Sequence, residues 1–350
     1  MQGNAQRKSN LFIRVIDVAT LLYLVISALY LVVRGLVGDS VPFVSLVNSF
    51  AYFLFLPLPV LLALAAVVRS KKAFLRLLPI VAVIAVWVGP RFLPRSTVQA
   101  GNDTLQVMSL NTWGNNHDLT QTEAWLRETG ADIVVLVEVS PAYARDRLPG
   151  LNDLYPYQTN QRDETRWGDN FILSRYPIVS SDYVDLGVPN QPAPVRAVVD
   201  VDGQQVAVYA VHLAWPVDDE AITSGGVQFY FDVARGFDDR IRNLQIQGLI
   251  ERWKSESLPY IAAGDFNTSD FSVTYSRLAS ASHDSFAEGG WGLGGSWPVA
   301  WVRTGLPDWL PPLIRIDYIW HSDKLRTVRS WQGPAVGSDH LPLFAELAVG

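Results

Sequence analysis

Three long apolar segments occupy the first third of the chain, and they constrain its fold more than any other feature. The first, Leu11 to Val33, is interrupted only by two charges near its start. It is long enough to cross a hydrocarbon core about 30 Å thick. The second carries no charge, and the third has charges only near its ends, where long side chains can reach water. We therefore expect a membrane domain over residues 1–93 with three transmembrane helices, at about 11–33, 41–68 and 74–93.

The basic residues beside these segments predict an orientation. Three of them precede or open the first segment and four lie around the second connection, whereas the first connection has only Arg34. Basic flanks stay in the cytoplasm, so the N-terminus is expected inside and everything after the polar linker 94–102 outside the cell. A cleaved signal peptide is disfavoured, because its apolar region would be shorter and would end at a small-residue site.

The remainder of the chain has the opposite charge. Residues 101–350 hold 18 Lys and Arg against 32 Asp and Glu, a net charge of −14. Non-specific nucleic-acid binding depends on Lys and Arg displacing phosphate counterions, so this balance argues against it and favours divalent cations. The chain contains no cysteine, which excludes disulfides, thiolate nucleophiles and cysteine metal sites.

Residues 103–350 read as one layered α/β domain. The pattern starts as strand, helix and buried strand, and Arg235 to Lys254 has the apolar stripe of a helix that covers a sheet. Predicted strands lie at 104–110, 132–138, 170–174, 195–201, 204–211, 259–263, 317–321, 327–331 and 343–347.

Polar side chains of a few types follow these apolar strands. They are Asn111, Glu138, His212, Asp265, Asn267, Asp317, Asp339 and His340. Strands that each end in such a group can turn a sheet rim into an active site. Carboxylate and amide oxygens suit Mg²⁺ or Mn²⁺, which leave coordination positions open for a substrate phosphate.

Six motifs, in the order in which they occur, resemble those of the endonuclease/exonuclease/phosphatase (DNase I-like) superfamily. They are SLNTW, VVLVEVS, FILSRYPI, AVHL, AAGDFNT, and RIDYIW with GSDH. The resemblance implies a four-layer α/β sandwich, in which two central sheets are flanked by helices and the site lies where both sheets end. Together with the three apolar segments, the chain resembles a bacterial membrane-anchored subgroup that includes the VanJ-type teicoplanin-resistance proteins. That resemblance implies a polyprenyl pyrophosphate or a similar envelope lipid as substrate.

The resemblance also implies roles for individual residues. Glu138 is the expected principal metal ligand, with Asn111 beside it and Asp339 as a further ligand. Asp265 would orient or deprotonate the attacking water and Asn267 would hold a phosphoryl oxygen. His340, oriented by Asp317, would act as acid or base, and His212 would contact the phosphate from the other side. Weaker candidates for phosphate or supporting contacts are Asn170, Arg196 and Arg315. In-line attack on a phosphoester needs such a placed water and such charge neutralisation.

Other polar residues are better explained without chemistry. His117, His283 and His321 are expected to be surface or satisfied core residues, because an isolated histidine at a strand end is usually one of these. The acidic run Asp218 to Glu220 and the pair Asp238 and Asp239 are expected to be solvated charges.

Two loops, 215–237 and 289–313, are expected to set the substrate. The second contains four Trp among Leu, Gly and Pro, and we expect Trp301 and Trp309 to lie at the bilayer interface. A loop folded over its own domain is the alternative. The sequence thus favours a phosphoester hydrolase that acts on a lipid-linked phosphate. The alternatives are a phospholipase C or sphingomyelinase-like diesterase, an extracytoplasmic nuclease and a non-catalytic binding protein. It indicates no obligate protein partner beyond the bilayer.

Overall fold

The computed structural model of the protein divides the chain into two compact units. One contains residues 1–93 with 271–273, and the other contains residues 94–270 and 274–350. The structure describes residues 2–95, 104–114, 116, 118–159, 169–189, 191, 193–217, 222, 227–299, 307, 309–312 and 314–349. Most of the predicted linker 94–102, His117, Asp218 to Glu220 and Trp301 therefore lie outside the described residues.

The first unit is helical. Its helices are α1 (Gln2–Val37), α2 (Pro42–Ser49), α3 (Pro57–Val67) and α4 (Lys71–Trp87), with short 3₁₀ turns at Ala51–Phe55 and Gly89–Phe92. The Leu11–Val37 part of α1 is long and apolar enough to cross a membrane. Most of its apolar side chains are exposed rather than packed inside the protein, unlike those of a core helix in a soluble domain.

The prediction of three transmembrane helices is corrected by the structure. Within the described part of the chain, α1 alone is an unbroken candidate, and a second exists only if Pro42–Ser49 and Ala51–Val67 count as one span, although they are bent by 68°. The bend lies at Phe50, between the two helical pieces, where the backbone (φ −112°, ψ 21°) leaves the helical conformation. The third segment forms a helix of 17 residues, about 25 Å long, which falls short of a hydrocarbon core.

The described residues of the second unit form two mixed sheets of six strands each. Helices α5 (Thr120–Thr129), α6 (Pro141–Asp146), α7 (Val227–Gly236), α8 (Arg240–Lys254), α9 (Val273–Ala279) and α10 (Ser285–Gly289) accompany them. The first sheet has the order β11-β12-β1-β2-β4-β3 and the second β5-β6-β7-β8-β10-β9. The strands are β1 (Thr104–Asn111), β2 (Ile133–Val139), β3 (Tyr157–Gln158), β4 (Asp169–Ser174), β5 (Ile178–Tyr183), β6 (Val195–Val201), β7 (Gln204–His212), β8 (Tyr260–Asp265), β9 (His283–Asp284), β10 (Asp317–His321), β11 (Leu325–Gln332) and β12 (Leu343–Val349).

Three apolar layers hold these elements together, as the predicted four-layer sandwich requires. Val107 and Val135 of one sheet pack against Val208 and Ile261 of the other. The outer face of the first sheet is covered by helices that contribute Leu126 and Leu148, among others. A third cluster, with Leu249, Trp253 and Trp320, covers the outer face of the second sheet. The stretch predicted as one helix from Arg235 forms two, α7 and α8, with a break at residues 237–239.

Parallel pairs at the centre of each sheet bring the strand ends together. β1 runs parallel to β2, and Asn111 lies beside Val137 at their ends. β7 runs parallel to β8, where His212 is paired with Asp265. β10 runs antiparallel to β8, so that its first residue, Asp317, is also paired with Asp265. The sheet register therefore places side chains from five strands at one rim.

Candidate active site

Glu138 and Asn111 form one side of this rim. The pairing of β2 with β4 is irregular between Leu136 and Val139, and Glu138 adopts a left-handed backbone with φ of 55°. Such a conformation costs a non-glycine residue about 1–3 kcal/mol. The carboxylate accepts hydrogen bonds from Asn111 Nδ2 at 2.8 Å and from the Gly114 backbone N–H at 3.0 Å. The strain thus turns a carboxylate toward the strand ends, where backbone and amide donors hold it.

His212 joins Glu138 to the second sheet. Its Nε2 lies 3.3 Å from Glu138 Oε1. Burial alone lowers the pKa of His212, but the hydrogen bond and the charge of Glu138 outweigh burial and raise it. Burial also opposes ionisation of Glu138, yet the same bond, with those from Gly114 and Asn111, holds the pKa of Glu138 well below its usual range. The pair is therefore a carboxylate facing a histidine that favours its charged form.

Asp317 and His340 form the opposite side. His340 Nδ1 lies 2.8 Å from Asp317 Oδ2, and both residues are buried. Burial opposes protonation of His340, but the charge and hydrogen bond of Asp317 raise its pKa to about 10. Its other nitrogen, Nε2, lies 3.8 Å from Asp265 Oδ2 and 3.9 Å from Asp339 Oδ1. Those distances exceed a hydrogen bond, so Nε2 faces both carboxylates without bonding to either.

Asp265 lies between the two sides. Asn111 Nδ2 donates to its Oδ2 at 3.0 Å, and the Asn267 backbone N–H donates to its Oδ1 at 2.8 Å. Burial and then the charge of Asp317 raise the pKa of Asp265 to about 7. Gly264 sets this position, because a Cβ there would lie 1.9 Å from the Val211 carbonyl oxygen. A carboxyl group that titrates near neutrality suits proton transfer.

We call Asn111, Glu138, His212, Asp265, Asp317 and His340 the rim cluster. Two overlapping groups within it, Glu138–His212–Asp265 and Asp265–Asp317–His340, bring potential ligand atoms within 4.8 Å of one another. Among the described residues, no arginine or lysine forms an ion pair with its three carboxylates. Surplus negative charge and hard oxygen donors fit a divalent cation, which Glu138 would hold with Asn111 beside it, and this leaves Asp265 available for proton transfer.

Comparison with known proteins identifies the family of the chain. The model of the endonuclease/exonuclease/phosphatase family matches residues 108–340, two thirds of the chain. The chain belongs to this family. No curated protein matches the sequence significantly.

Solved structures share the family fold at low sequence identity. The endonuclease/exonuclease/phosphatase from Bacteroides vulgatus is 15% identical with a TM-score of 0.54, and the match covers 71% of this chain and 100% of that one. A family protein from Leptotrichia buccalis is 17% identical with a TM-score of 0.51, over 69% and 99%. Truncated Caenorhabditis elegans TDP2 is 16% identical with a TM-score of 0.52, over 70% and 98%. Membership of the family supports phosphoester hydrolysis, and these likenesses show the fold.

Two residues whose roles the family resemblance implies, Asn267 and Asp339, are outside the rim cluster, and their side chains bond to other groups. The Asn267 side chain, expected to hold a phosphoryl oxygen, donates from Nδ2 to the Leu213 carbonyl at 2.8 Å. Asp339, expected as a metal ligand, accepts from Trp297 Nε1 at 3.2 Å and is outside both groups of potential ligand atoms. The role of Asp339 as a metal ligand and that of Asn267 as a phosphoryl contact therefore stay predictions.

Asn170 is favourably placed for a substrate contact. It is buried at the start of β4, beside the end of β2 that carries Glu138. Its Nδ2 makes a long bond of 3.4 Å to the Ala193 carbonyl, while its buried Oδ1 has no hydrogen-bond partner among the described residues. A buried amide oxygen without a partner is costly, which is consistent with the predicted contact.

The two predicted arginines are engaged in other ion pairs. Arg196 Nε lies 2.8 Å from Glu256 Oε2, which also accepts from Tyr209 Oη at 2.6 Å. Arg315 is buried and pairs with Asp284 at 2.7 Å and with Asp270 at 3.2 Å. Their contacts explain packing, so we assign neither arginine to the substrate.

Two residues that support the rim, Ser338 and Trp297, are not among the site residues predicted from the sequence. Ser338 donates from Oγ to the Asn111 carbonyl at 2.6 Å and accepts from the His340 N–H at 3.0 Å, joining GSDH to the end of β1. Trp297 is one of the four Trp in the loop 289–313, and its indole is bonded to Asp339 at the rim. The signal for Ser338 was its place two residues before a functional histidine, since serine readily bonds the backbone in tight turns. Trp309 is exposed.

Proposed function

We propose that the protein is a membrane-anchored, Mg²⁺- or Mn²⁺-dependent phosphoester hydrolase that acts on a lipid-linked phosphate, either a polyprenyl pyrophosphate or a phospholipid. The observation that carries the proposal is the rim cluster, with its surplus of carboxylates and its two histidines, in a family domain that follows a long apolar helix. The resemblance to the VanJ-type subgroup supports the polyprenyl pyrophosphate.

The rim side chains divide the chemistry between them. Asp265, with a pKa of about 7, would take the proton of the attacking water at Oδ2. His340, held by Asp317 and protonated at neutral pH, would face the phosphoryl group with Nε2 and stabilise the developing charge or protonate the leaving oxygen. His212 would donate to the phosphate from the Glu138 side. A bound divalent ion would neutralise phosphoryl charge and lower the pKa of the water.

Three properties of the chain support a lipid over a nucleic acid. The net charge of −14 over residues 101–350 repels a polyanion. The chain carries an apolar helix whose side chains are exposed. Trp291 and Trp309, in the loop after α10, are 70% and 78% exposed, as indoles that insert into an interface must be. The same properties fit a phospholipase C or sphingomyelinase-like diesterase, which differs in the P–O bond that breaks.

The proposal includes an extracytoplasmic position for the hydrolase domain. It requires a cytoplasmic N-terminus and an odd number of crossings, and the basic residues that open α1 support the first requirement. Fusions of alkaline phosphatase and of a cytoplasmic fluorescent reporter after the C-terminus test it. We expect the alkaline phosphatase fusion to be active. If it is inactive while the fluorescent fusion fluoresces, the domain lies inside the cell.

Incubation with a lipid panel tests the substrate. Full-length protein in detergent is mixed with undecaprenyl pyrophosphate, undecaprenyl phosphate, phosphatidylcholine, sphingomyelin or single-stranded DNA, with Mg²⁺, Mn²⁺ or EDTA, and products are identified by mass spectrometry. We expect metal-dependent release of phosphate from a polyprenyl substrate, abolished by EDTA and by Glu138→Gln. Release of phosphocholine would favour the diesterase, cleavage of DNA alone would favour a nuclease, and metal-independent activity would overturn the proposal.

A further inference from the structure

A short segment, residues 295–299, bonds both to the start of β10, which carries Asp317, and to the loop that carries His340. We call this segment the brace. At one end it pairs with the chain that leads into β10. The Ile314 N–H donates to the Trp297 carbonyl at 3.0 Å, and the Ser296 N–H donates to the Ile314 carbonyl at 2.8 Å. The buried Ser296 Oγ accepts from the Asp317 N–H at 3.2 Å. The brace thus fixes the start of β10 from which Asp317 reaches His340.

The same segment holds the loop that carries His340. The Leu341 N–H donates to the Ser296 carbonyl at 2.8 Å, and the Val299 N–H donates to the Asp339 carbonyl at 2.7 Å. These bonds lie on both sides of His340 in the sequence. Gly295 allows the close approach, since a Cβ there would lie 2.3 Å from the Pro312 carbonyl oxygen.

The Trp297 side chain adds a bond that backbone pairing does not require. Its indole Nε1–H donates to Asp339 Oδ2 at 3.2 Å, and its ring centroid lies 6.4 Å from that of His340. With Oδ2 held by the indole, the other oxygen, Oδ1, lies 3.9 Å from His340 Nε2. That is nearly the distance of Asp265 Oδ2 from the same nitrogen, 3.8 Å. Two carboxylates therefore face the imidazole edge that would meet the phosphate.

We propose that Trp297 is a positioning residue for the hydrolysis: its indole N–H fixes the Asp339 carboxylate opposite His340 Nε2 and so defines the space in which the phosphoryl group reacts. The inference rests on the proposed function. It separates Trp297 from Trp291 and Trp309, which are exposed and are proposed to meet the bilayer. Without the indole donor, the Asp339 carboxylate loses one of the contacts that orient it, and the placement of the reacting group becomes less precise.

The test compares Trp297→Phe, which keeps an aromatic ring and removes the donor, with the matched control Trp331→Phe. Trp331 is partly buried and stacks on Phe344 with ring centroids 5.1 Å apart, and it has no part in the rim cluster. The full chain in detergent is assayed with bis(4-nitrophenyl) phosphate and 4-nitrophenyl phosphate in Mg²⁺ and in Mn²⁺. We expect Trp297→Phe to lower kcat about tenfold with KM unchanged, as loss of a bond to a charged group predicts. Trp331→Phe should leave both constants unchanged.

A double-mutant cycle distinguishes positioning from a general structural role. In an Asp339→Ala background, Trp297→Phe should change kcat less than about twofold, because the group that the indole positions is gone. Equal losses in both backgrounds, or a change in KM alone, would overturn the inference. If Trp297→Phe does not fold, Trp297→Leu replaces it in the same cycle. An inactive wild-type protein would overturn the proposed function itself, whereas an active wild type with fully active Trp297→Phe would overturn only this inference.

Discussion

The rim cluster and the cluster around Arg315 both bury several charges in the same domain, but they are balanced differently. The guanidinium of Arg315 pairs with Asp284 and Asp270, and Tyr275 Oη donates to Asp284 at 2.7 Å. Burial opposes ionisation of Asp284, yet Arg315 lowers its pKa. In the rim cluster, burial and Asp317 instead raise the pKa of Asp265 to about 7. A buried carboxylate with a guanidinium stabilises the fold, whereas one without a fixed cation is available for a metal and a proton.

The largest expected effect is that of Asp265→Asn, which tests the unbalanced cluster. If Asp265 accepts the proton of water, kcat should fall by about 10²–10⁴-fold. Stability should change in the opposite direction. Because the folded pKa of about 7 exceeds the ordinary value of 3.8, ionisation of Asp265 destabilises the protein as pH rises from about 4 through 7. In metal-free buffer at pH 8, the Tm of Asp265→Asn should therefore exceed that of the wild type.

Activity and Tm measured on the same preparation separate the two roles of Asp265. A variant that loses both activity and thermal stability would make Asp265 a structural residue. Asp284→Asn serves as the matched comparison, since it removes a balanced carboxylate and should lower the Tm instead.

Removing Arg315 tests the balanced cluster and should affect stability more than chemistry. Arg315→Met leaves Asp284 and Asp270 buried without their cation, which should lower the free energy of unfolding by about 3–5 kcal/mol. Thermal unfolding measures this loss, and kcat per folded molecule should stay within about twofold. The exposed Arg329, which pairs with Glu346, provides the control variant Arg329→Met, with a change below about 1 kcal/mol. A folded Arg315→Met with tenfold lower kcat would instead support the substrate contact predicted from the sequence.

These clusters also show what the sequence could predict. Asn111, Glu138, His212 and Asp265 were recognisable because each ends an apolar strand, and strand ends in parallel pairs meet at one rim. The two partners of Arg315 could not be predicted from the sequence. Asp284 and Asp270 are 31 and 45 residues away along the chain and lie in no periodic pattern. Ion pairs of this kind depend on packing between distant elements.

The membrane segments illustrate a second limit of sequence interpretation. Hydropathy identifies apolar stretches, but whether a stretch is one straight helix depends on local backbone geometry. The segment from Pro42 to Val67 is bent by 68° at Phe50, between Ser49 and Ala51, and no proline lies at that position. The length and composition of the segment gave no indication of that angle.

The exposed indole of Trp309 provides a smaller test, which contrasts membrane contact with rim chemistry. Trp309→Ala should lower hydrolysis of lipid substrate in vesicles about tenfold, since an inserted indole buries a large amphipathic surface. Hydrolysis of a soluble nitrophenyl ester should be unchanged. Tyr157→Ala, which removes an exposed aromatic ring from β3, outside both loops that are expected to set the substrate, is the control and should affect neither. Equal losses on lipid and soluble substrates would assign Trp309 to the site or the fold.

The smallest expected effect concerns the balanced pair of Arg196 and Glu256. Burial disfavours the Glu256 carboxylate, but bonds from Arg196 and Tyr209 lower its pKa to about 2, below the ordinary 4.5. For a carboxyl group with a lowered pKa, the stabilisation is complete above about pH 4.5 and is lost as pH falls toward 2. Glu256→Gln should therefore lower the free energy of unfolding by about 1–2 kcal/mol at pH 7, with the difference shrinking below pH 4.5. Tm measured against pH for both proteins checks this. A constant difference down to pH 2 would show that the pair contributes through packing, and an altered kcat at pH 7 would return Arg196 to the candidate substrate contacts.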